Sequence, residues 1–191
     1  MERCVAPPKA LGKNAFITGL VTIEDELIQL LDLELLLAKV YPESLNSKDV
    51  LLNDMEVETL RGLSILLVDD SVVARKQLSD VLDRKNIEYQ VTHDGSDAMA
   101  RILSAQESGR PIDILVSDIE MPGLDGYELA FKIRNHPGLH QPWIILHSSL
   151  SSEMSVSYAE QVGANRALTK FDAHELLHTM LAAAAGRALD S

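Results

Sequence analysis

From residue 63 onward, short apolar runs alternate with longer amphipathic segments. The runs predict five β-strands, at residues 64–68, 89–92, 112–117, 143–147 and 167–169. Between and after the runs, apolar side chains recur at helical spacing, which predicts a helix after each strand. Such an alternation of strands and helices predicts a parallel sheet covered by helices on both faces.

Residues 1–45 follow a different pattern. The apolar runs FITGLVTI and LIQLL predict two strands joined by the polar turn EDE, and a helix is predicted at residues 33–40. Two strands and one helix bury too little apolar surface for an independent core. The polar and acidic residues 46–61 predict a linker, and residues 62–188 then form the α/β domain.

The composition is that of a soluble globular protein, with 46% hydrophobic and 24% charged residues. Its single cysteine, Cys4, lies in a polar terminus with no predicted element and has no partner for an internal disulfide. We therefore expect a cytoplasmic protein, and the lack of a long apolar run predicts no membrane insertion. The net charge of −12, shared by both parts of the chain, argues against nucleic acid as a partner.

Polar side chains follow four of the predicted strands. Asp69 and Asp70 end the first strand in ILLVDDS, and Asp118 ends the third in DILVSDIEMPGLDG. Ser148 ends the fourth strand and Lys170 ends the fifth. Because the carboxyl ends of parallel strands meet at one edge of a sheet, we expect these side chains to converge there.

This set of side chains suits phosphoryl transfer to a carboxylate. Adjacent carboxylates repel each other and resist desolvation, and the oxygens of Asp69, Asp70 and Asp118 suit a hard cation such as Mg²⁺. Asp118 is the candidate nucleophile, which would form an acyl phosphate. Lys170 would neutralise charge on the transferred group, and Ser148 would donate a hydrogen bond to one of its oxygens.

In these motifs and in their order, residues 63–185 resemble the receiver domain of two-component response regulators. The motifs are VDDS, SDIEMPGLDGYEL, LHSS and GANRALTK. The resemblance implies a five-stranded parallel doubly wound domain of the flavodoxin-like type, with strand order 2-1-3-4-5. This α/β domain would follow a partial, β-rich N-terminal segment.

The resemblance also implies a role for each candidate residue. Asp118 is the implied phosphoacceptor, and Ser148 and Lys170 are the implied phosphoryl-contacting switch residues. The implied cofactor is Mg²⁺, held by Asp69, Asp70, Asp118 and the backbone carbonyl of Glu120.

Two positions depart from the family pattern. Phe171 follows the lysine where proline is usual, and Ala167 stands where many receivers place a switch aromatic. An aromatic rotamer switch therefore cannot operate unchanged. Output is expected instead through residues 1–60.

The stretch FITGLVTIEDELIQLLDLELLLAKV resembles the end of a CheW-type coupling domain. A coupling domain followed by a receiver is the arrangement of CheV-type chemotaxis proteins. This resemblance implies a receiver that accepts a phosphoryl group from a CheA-type histidine kinase onto Asp118 and modulates receptor–kinase coupling. Chemoreceptors would be contacted through the N-terminal segment. The protein would not be an enzyme, because any turnover would be slow self-dephosphorylation.

Alternative functions are a stand-alone receiver or an aspartate-nucleophile phosphohydrolase. Such hydrolases need a second acid two residues after the nucleophile, and Glu120 has that offset. Their metal-binding acids lie elsewhere, however, and no substrate-cap insertion is visible. A transcription factor is disfavoured, because about six residues after the last predicted helix cannot form a DNA-binding module.

Two histidines near the C-terminus form a motif that suggests a different function. HELLH, from His174 to His178, matches the zinc-protease pattern, but Asp172 and Glu175 have the spacing of a helix capping box. We therefore interpret it as the start of the last helix. His147 draws attention only as the neighbour of Ser148.

Overall fold

The computed structural model describes residues 4–5, 17–23, 26–31, 36, 52–148, 153–170 and 172–190. Contacts within the chain divide it into two units, Met1–Asn46 and Ser47–Ser191. Among the described residues, no helix combines the length and the apolar character that a lipid bilayer crossing requires.

The first unit contains a three-stranded antiparallel sheet. Its strands are β1 Cys4–Val5, β2 Ile17–Ile23 and β3 Glu26–Leu31, in the order β1-β2-β3. The β2–β3 hairpin agrees with the prediction, whereas β1 was not predicted because two residues leave no readable periodicity. Leu36 is helical, and the rest of the predicted helix at 33–40 lies outside the described residues.

The second unit is built around a five-stranded sheet. The strands are β4 Ile65–Val68, β5 Gln90–Thr92, β6 Ile114–Asp118, β7 Trp143–Ser148 and β8 Arg166–Thr169. Their order is β5-β4-β6-β7-β8, and all neighbouring pairs are parallel. Counted from the first strand of the unit, this order confirms the predicted 2-1-3-4-5 doubly wound fold.

Helices precede and follow these strands. In the part of the chain that the structure describes, they are α1 Asp54–Arg61, α2 Val72–Asp83, α3 Gly95–Glu107, α4 Gly126–Arg134, α5 Glu153–Gln161 and α6 Ala173–Asp190. Side chains cap several of them: Ser71, Asp94 and Asp125 each accept a backbone N–H in the first turn of the helix that follows. The caps fix where each helix leaves the strand end before it.

The sheet separates two apolar cores. Along β4, Leu66 and Val68 face a core shared with α3, α4 and α5, whereas Ile65 and Leu67 face a core shared with α1, α2 and α6. All four side chains are buried. A strand buried on both faces appears in the sequence as an uninterrupted apolar run, which is why ILLV predicted it correctly.

Helix α1 differs from the linker predicted for residues 46–61. Asn53 and Glu56 form a reciprocal capping box at its start, and Leu60 is fully buried in the core shared with α2 and α6. The Arg61 guanidinium donates to the backbone carbonyls of Lys85 and Asn86, at 2.8 and 3.1 Å. Because α1 is short and acid-rich, its helical pattern is weak, and burial of Leu60 stabilises it.

Replacing Leu60 tests whether α1 belongs to the second unit. Leu60→Ala should lower the free energy of unfolding by about 2–5 kcal/mol, because it leaves a cavity in a packed core. Met55, on the same helix, is 82% exposed, so Met55→Ala should change stability by less than about 0.5 kcal/mol. Urea denaturation followed by circular dichroism measures both, and equal effects of the two variants would contradict the placement of α1.

Candidate functional site

The predicted site residues meet at the carboxyl edge of the five-stranded sheet. Asp118 and Ser148 are the last residues of β6 and β7, while Asp69 and Lys170 directly follow β4 and β8. Asp70 is exposed, and the other four are buried. The structure thus brings together the five side chains that the sequence analysis selected.

Lys170 lies between two buried carboxylates. Its Nζ is 2.8 Å from Asp118 Oδ2 and 3.2 Å from Asp69 Oδ2. Burial raises the pKa of Asp118, and burial together with the charge of Asp118 raises the pKa of Asp69 to about 7. Burial alone would lower the pKa of Lys170, but its two carboxylate partners outweigh burial and raise it. The ammonium therefore stays charged at neutral pH.

The acidic residues leave more negative charge than one ammonium balances. Carboxylate oxygens of Asp69, Asp70 and Asp118 all lie within 4.8 Å of one another. The exposed Asp70 opens this group to solvent, while Asp69 Oδ2 is buried and accepts no well-aligned hydrogen bond from the described residues. An oxygen-only ligand set with excess negative charge fits a hard divalent cation.

Glu120 contacts the site through two of its groups. Its backbone N–H donates to Asp118 Oδ1 at 3.2 Å, and its carboxylate accepts a hydrogen bond from Ser148 Oγ at 3.1 Å. Sequence analysis selected Glu120 for its backbone carbonyl and, in the alternative hydrolase, as the second acid. The contact with Ser148 joins residues 28 positions apart, so no local sequence pattern could reveal it.

The backbone around the acid pair is held by Arg75, which sequence analysis did not select. Its guanidinium donates to the carbonyls of Asp69 and Asp70, at 2.7 and 2.8 Å. Ser71 adds a backbone N–H to Asp69 Oδ1 at 2.8 Å. A basic residue near a helix N-terminus is unfavourable for the helix dipole, and that mismatch was the available signal.

Gly126 sets the close approach of α4 to the end of β6. A Cβ at this position would lie 2.2 Å from the carbonyl oxygen of Asp118. The Gly126 N–H donates to the carbonyl of Ile119 at 3.0 Å. The sequence DG in PGLDG therefore lets the helix start directly beside the phosphoacceptor candidate.

His147 is the site residue that sequence analysis underrated. It lies opposite Asp118 in the β6–β7 register, is 5% exposed, and places Nε2 3.6 Å from Asp69 Oδ2. Burial, and then the charge of Lys170, lower the pKa of His147 to about 3. The imidazole is therefore neutral beside the carboxylate.

The HELLH motif lies elsewhere, on α6. His174 and His178 are exposed, with ring centroids 4.2 Å apart, and Asp172 Oδ1 accepts the Glu175 N–H at 2.9 Å. Within the described ranges, the one group of three or more side chains placed to hold a metal ion is Asp69, Asp70 and Asp118. The capping interpretation of Asp172 agrees with this geometry.

The fold and the acidic edge together define a family. Residues 65–182 match the family described as the response regulator receiver domain. The chain belongs to this family, as the motifs around Asp69, Asp118 and Lys170 predicted.

Two bacterial proteins are similar to this chain over more than half of its length. Chemotaxis protein CheV3 of Helicobacter pylori is 31% identical over 167 residues, which are 83% of this chain and 52% of that protein. Protein PilG of Pseudomonas aeruginosa is 31% identical over 117 residues, covering 61% of this chain and 83% of that protein. The chain spans about half the length of the CheV proteins that it matches.

A solved structure shows the same fold. The receiver domain of the histidine kinase CKI1 from Arabidopsis thaliana, crystallised with Mg²⁺ and BeF₃⁻, is 25% identical with a TM-score of 0.58. The match covers 68% of this chain and 94% of that one.

The raised pKa of Asp69 predicts how stability depends on pH. In the metal-free protein, the folded state holds this proton up to pH about 7 and the unfolded chain releases it near 3.8. Stability should therefore fall as pH rises through that window. Asp69→Asn should be more stable than wild type at pH 8, by on the order of 4 kcal/mol, and the difference should vanish towards pH 4.

Urea denaturation with a chelator, repeated across this pH range, measures the effect. Asp97 is the matched control, because hydrogen bonds from Thr92 and Arg101 lower its pKa. Asp97→Asn should give no gain in stability at pH 8. A wild type at least as stable as Asp69→Asn at that pH would contradict the prediction.

Proposed function

We propose that this chain is the phospho-accepting part of a cytoplasmic, CheV-like chemotaxis protein. Asp118 accepts a phosphoryl group from a CheA-type histidine kinase, and the phosphorylated state modulates coupling between chemoreceptors and the kinase. The main support is the Lys170 ammonium, 2.8 Å from the buried Asp118 carboxylate at the edge of a receiver fold. Similarity to CheV3 over 83% of the chain supports the chemotaxis context.

The transfer step uses the groups already beside Asp118. A carboxylate oxygen of Asp118 bonds to phosphorus, the phosphorus–nitrogen bond of the kinase phosphohistidine breaks, and its electron pair stays on the imidazole. Lys170 keeps Asp118 ionised before the step and balances charge on the phosphoryl oxygens after it. The Ser148 hydroxyl donates a hydrogen bond to a phosphoryl oxygen in place of its hydrogen bond to Glu120.

The acidic residues would hold Mg²⁺ in this function. The ligands are Asp69, Asp70, Asp118 and the backbone carbonyl of Glu120. When bound, the ion supplies positive charge that balances the transferred group. The three clustered carboxylates support this assignment, as does the CKI1 receiver crystallised with Mg²⁺ and BeF₃⁻.

The position of Glu120 favours a phosphoacceptor over a phosphohydrolase. A hydrolase of the aspartate-nucleophile type would use a carboxylic acid here to protonate the leaving group. The Glu120 carboxylate instead accepts the hydroxyl of Ser148 at 3.1 Å. The protein is therefore proposed not to be an enzyme, and loss of the phosphoryl group would be self-dephosphorylation.

The N-terminal strands support an attached coupling segment rather than a stand-alone receiver. The β2–β3 hairpin falls where the sequence resembles the end of a CheW-type domain. Residues 1–45 are proposed as that segment, with chemoreceptors as its partners.

Substitution of Asp118 tests the phosphoacceptor. Wild type incubated with acetyl phosphate and Mg²⁺ should gain the mass of one phosphoryl group, and Asp118→Asn should gain none, because an amide is not a nucleophile here. Intact-mass spectrometry measures the gain. Asp97→Asn, at an exposed acid, is the control and should label like wild type. Undiminished labelling of Asp118→Asn would remove Asp118 as the acceptor.

Substitution of Asp70 tests the metal site. Asp70→Ala should abolish Mg²⁺ binding in titration calorimetry while the melting temperature stays equal or rises, since the change removes one of three mutually repelling carboxylates. Glu107→Ala, an exposed acid on α3, should bind like wild type. Unchanged Mg²⁺ affinity in Asp70→Ala would count against the assigned ligands.

A further inference from the structure

Two buried polar atoms without a hydrogen-bond partner among the described residues face each other at the site. They are Asp69 Oδ2 and His147 Nε2, separated by 3.6 Å. Asp69 is fully buried and His147 is 5% exposed, so both atoms lie in the interior. A carboxylate oxygen and a ring nitrogen are complementary, provided that the nitrogen carries the proton.

Lys170 does not form a well-aligned hydrogen bond with each of the two buried carboxylates. Its ammonium forms a hydrogen bond with Asp118 Oδ2 at 2.8 Å, whereas Asp69 Oδ2 lies at 3.2 Å without hydrogen-bond geometry. A phosphoryl group on Asp118 would draw the ammonium further towards its own oxygens. The Ser71 N–H donates to Asp69 Oδ1, so Oδ2 is the oxygen that needs a donor that stays in place through the reaction.

The strand holds His147 where such a donor is needed. Its backbone carbonyl accepts the Ile119 N–H at 3.0 Å, directly after the end of β6. The ring lies on the face of β7 that also carries Ile145, and this position buries it. A shift of about half an ångström would bring Nε2 into hydrogen-bond range of Asp69.

We infer that His147 is a positioning residue of the acidic site. Its imidazole carries the proton on Nε2 and donates it in a hydrogen bond to Asp69 Oδ2. The bond orients the Asp69 carboxylate for the cation. The consequence for the cation rests on the proposed function, whereas the hydrogen bond itself does not.

Three variants test the role. His147→Leu removes the donor at similar volume, His147→Gln restores an N–H donor, and Ile145→Val alters the same face of β7 away from the acids. In titration calorimetry, His147→Leu should bind Mg²⁺ about tenfold more weakly than wild type, as is typical when a partner of a metal ligand is lost. His147→Gln should recover most of that affinity, and Ile145→Val should match wild type.

The second measurement is independent of the metal. Nitrogen-15 chemical shifts of the His147 ring, recorded on the metal-free protein at pH 8, report which nitrogen carries the proton, and Nε2–H is expected. The Nδ1–H tautomer would leave Nε2 with no proton to donate and would overturn the inference. Equal Mg²⁺ affinity of folded His147→Leu and wild type would also overturn it, as would a His147→Gln variant as weak as His147→Leu.

Failure of the proposed function can be told apart from failure of the inference about His147. A wild type that binds no Mg²⁺ and takes no phosphoryl group would overturn that function, while the tautomer would still decide whether His147 donates to Asp69. If His147→Leu does not fold, the tautomer and the affinity of His147→Gln decide the inference.

Discussion

One ammonium between two buried carboxylates is the constraint on which the site depends. Asp69 and Asp118 are 0% and 1% exposed, and ionised carboxylates at such depth are costly without a cation beside them. Lys170 meets that need only because β8 ends where β4 and β6 end. Its backbone N–H donates to the carbonyl of Ser148 at 2.9 Å, which ties the lysine to the end of β7 as well.

The order of the sheet follows from the same requirement. With β4 and β6 adjacent, the two acids come from neighbouring strand ends, while β7 and β8 bring the hydroxyl and the ammonium from the other side. Apolar cores on both faces hold the strands at this register, and the acids and the lysine of the site lie at the carboxyl edge. The stability of the sheet therefore lets like charges be held together.

Sequence alone predicts the parts of the structure that produce a local pattern of apolar and polar residues. The buried strands appear as apolar runs, and Asp69, Asp118 and Lys170 stand at their ends. The contacts that complete the site link distant residues: Arg75 binds backbone carbonyls, and His147 approaches a carboxylate from the next but one strand. Helix α1 was missed for a similar reason, since burial against α6 rather than its own periodicity stabilises it.

In the proposed phosphorylation cycle, a change of the hydrogen-bond acceptor of Ser148 would act as a switch that does not need an aromatic ring. Ala167 pairs with Leu146 in the sheet and has no ring that could follow Ser148 inward. In the unphosphorylated state, Ser148 donates to Glu120, and a phosphoryl oxygen on Asp118 would compete for that hydroxyl. A state is favoured only by interactions that differ between states. Release of the Glu120 carboxylate is such a difference, and it would alter the loop after β6, where Glu120 is exposed, rather than the surface around Ala167.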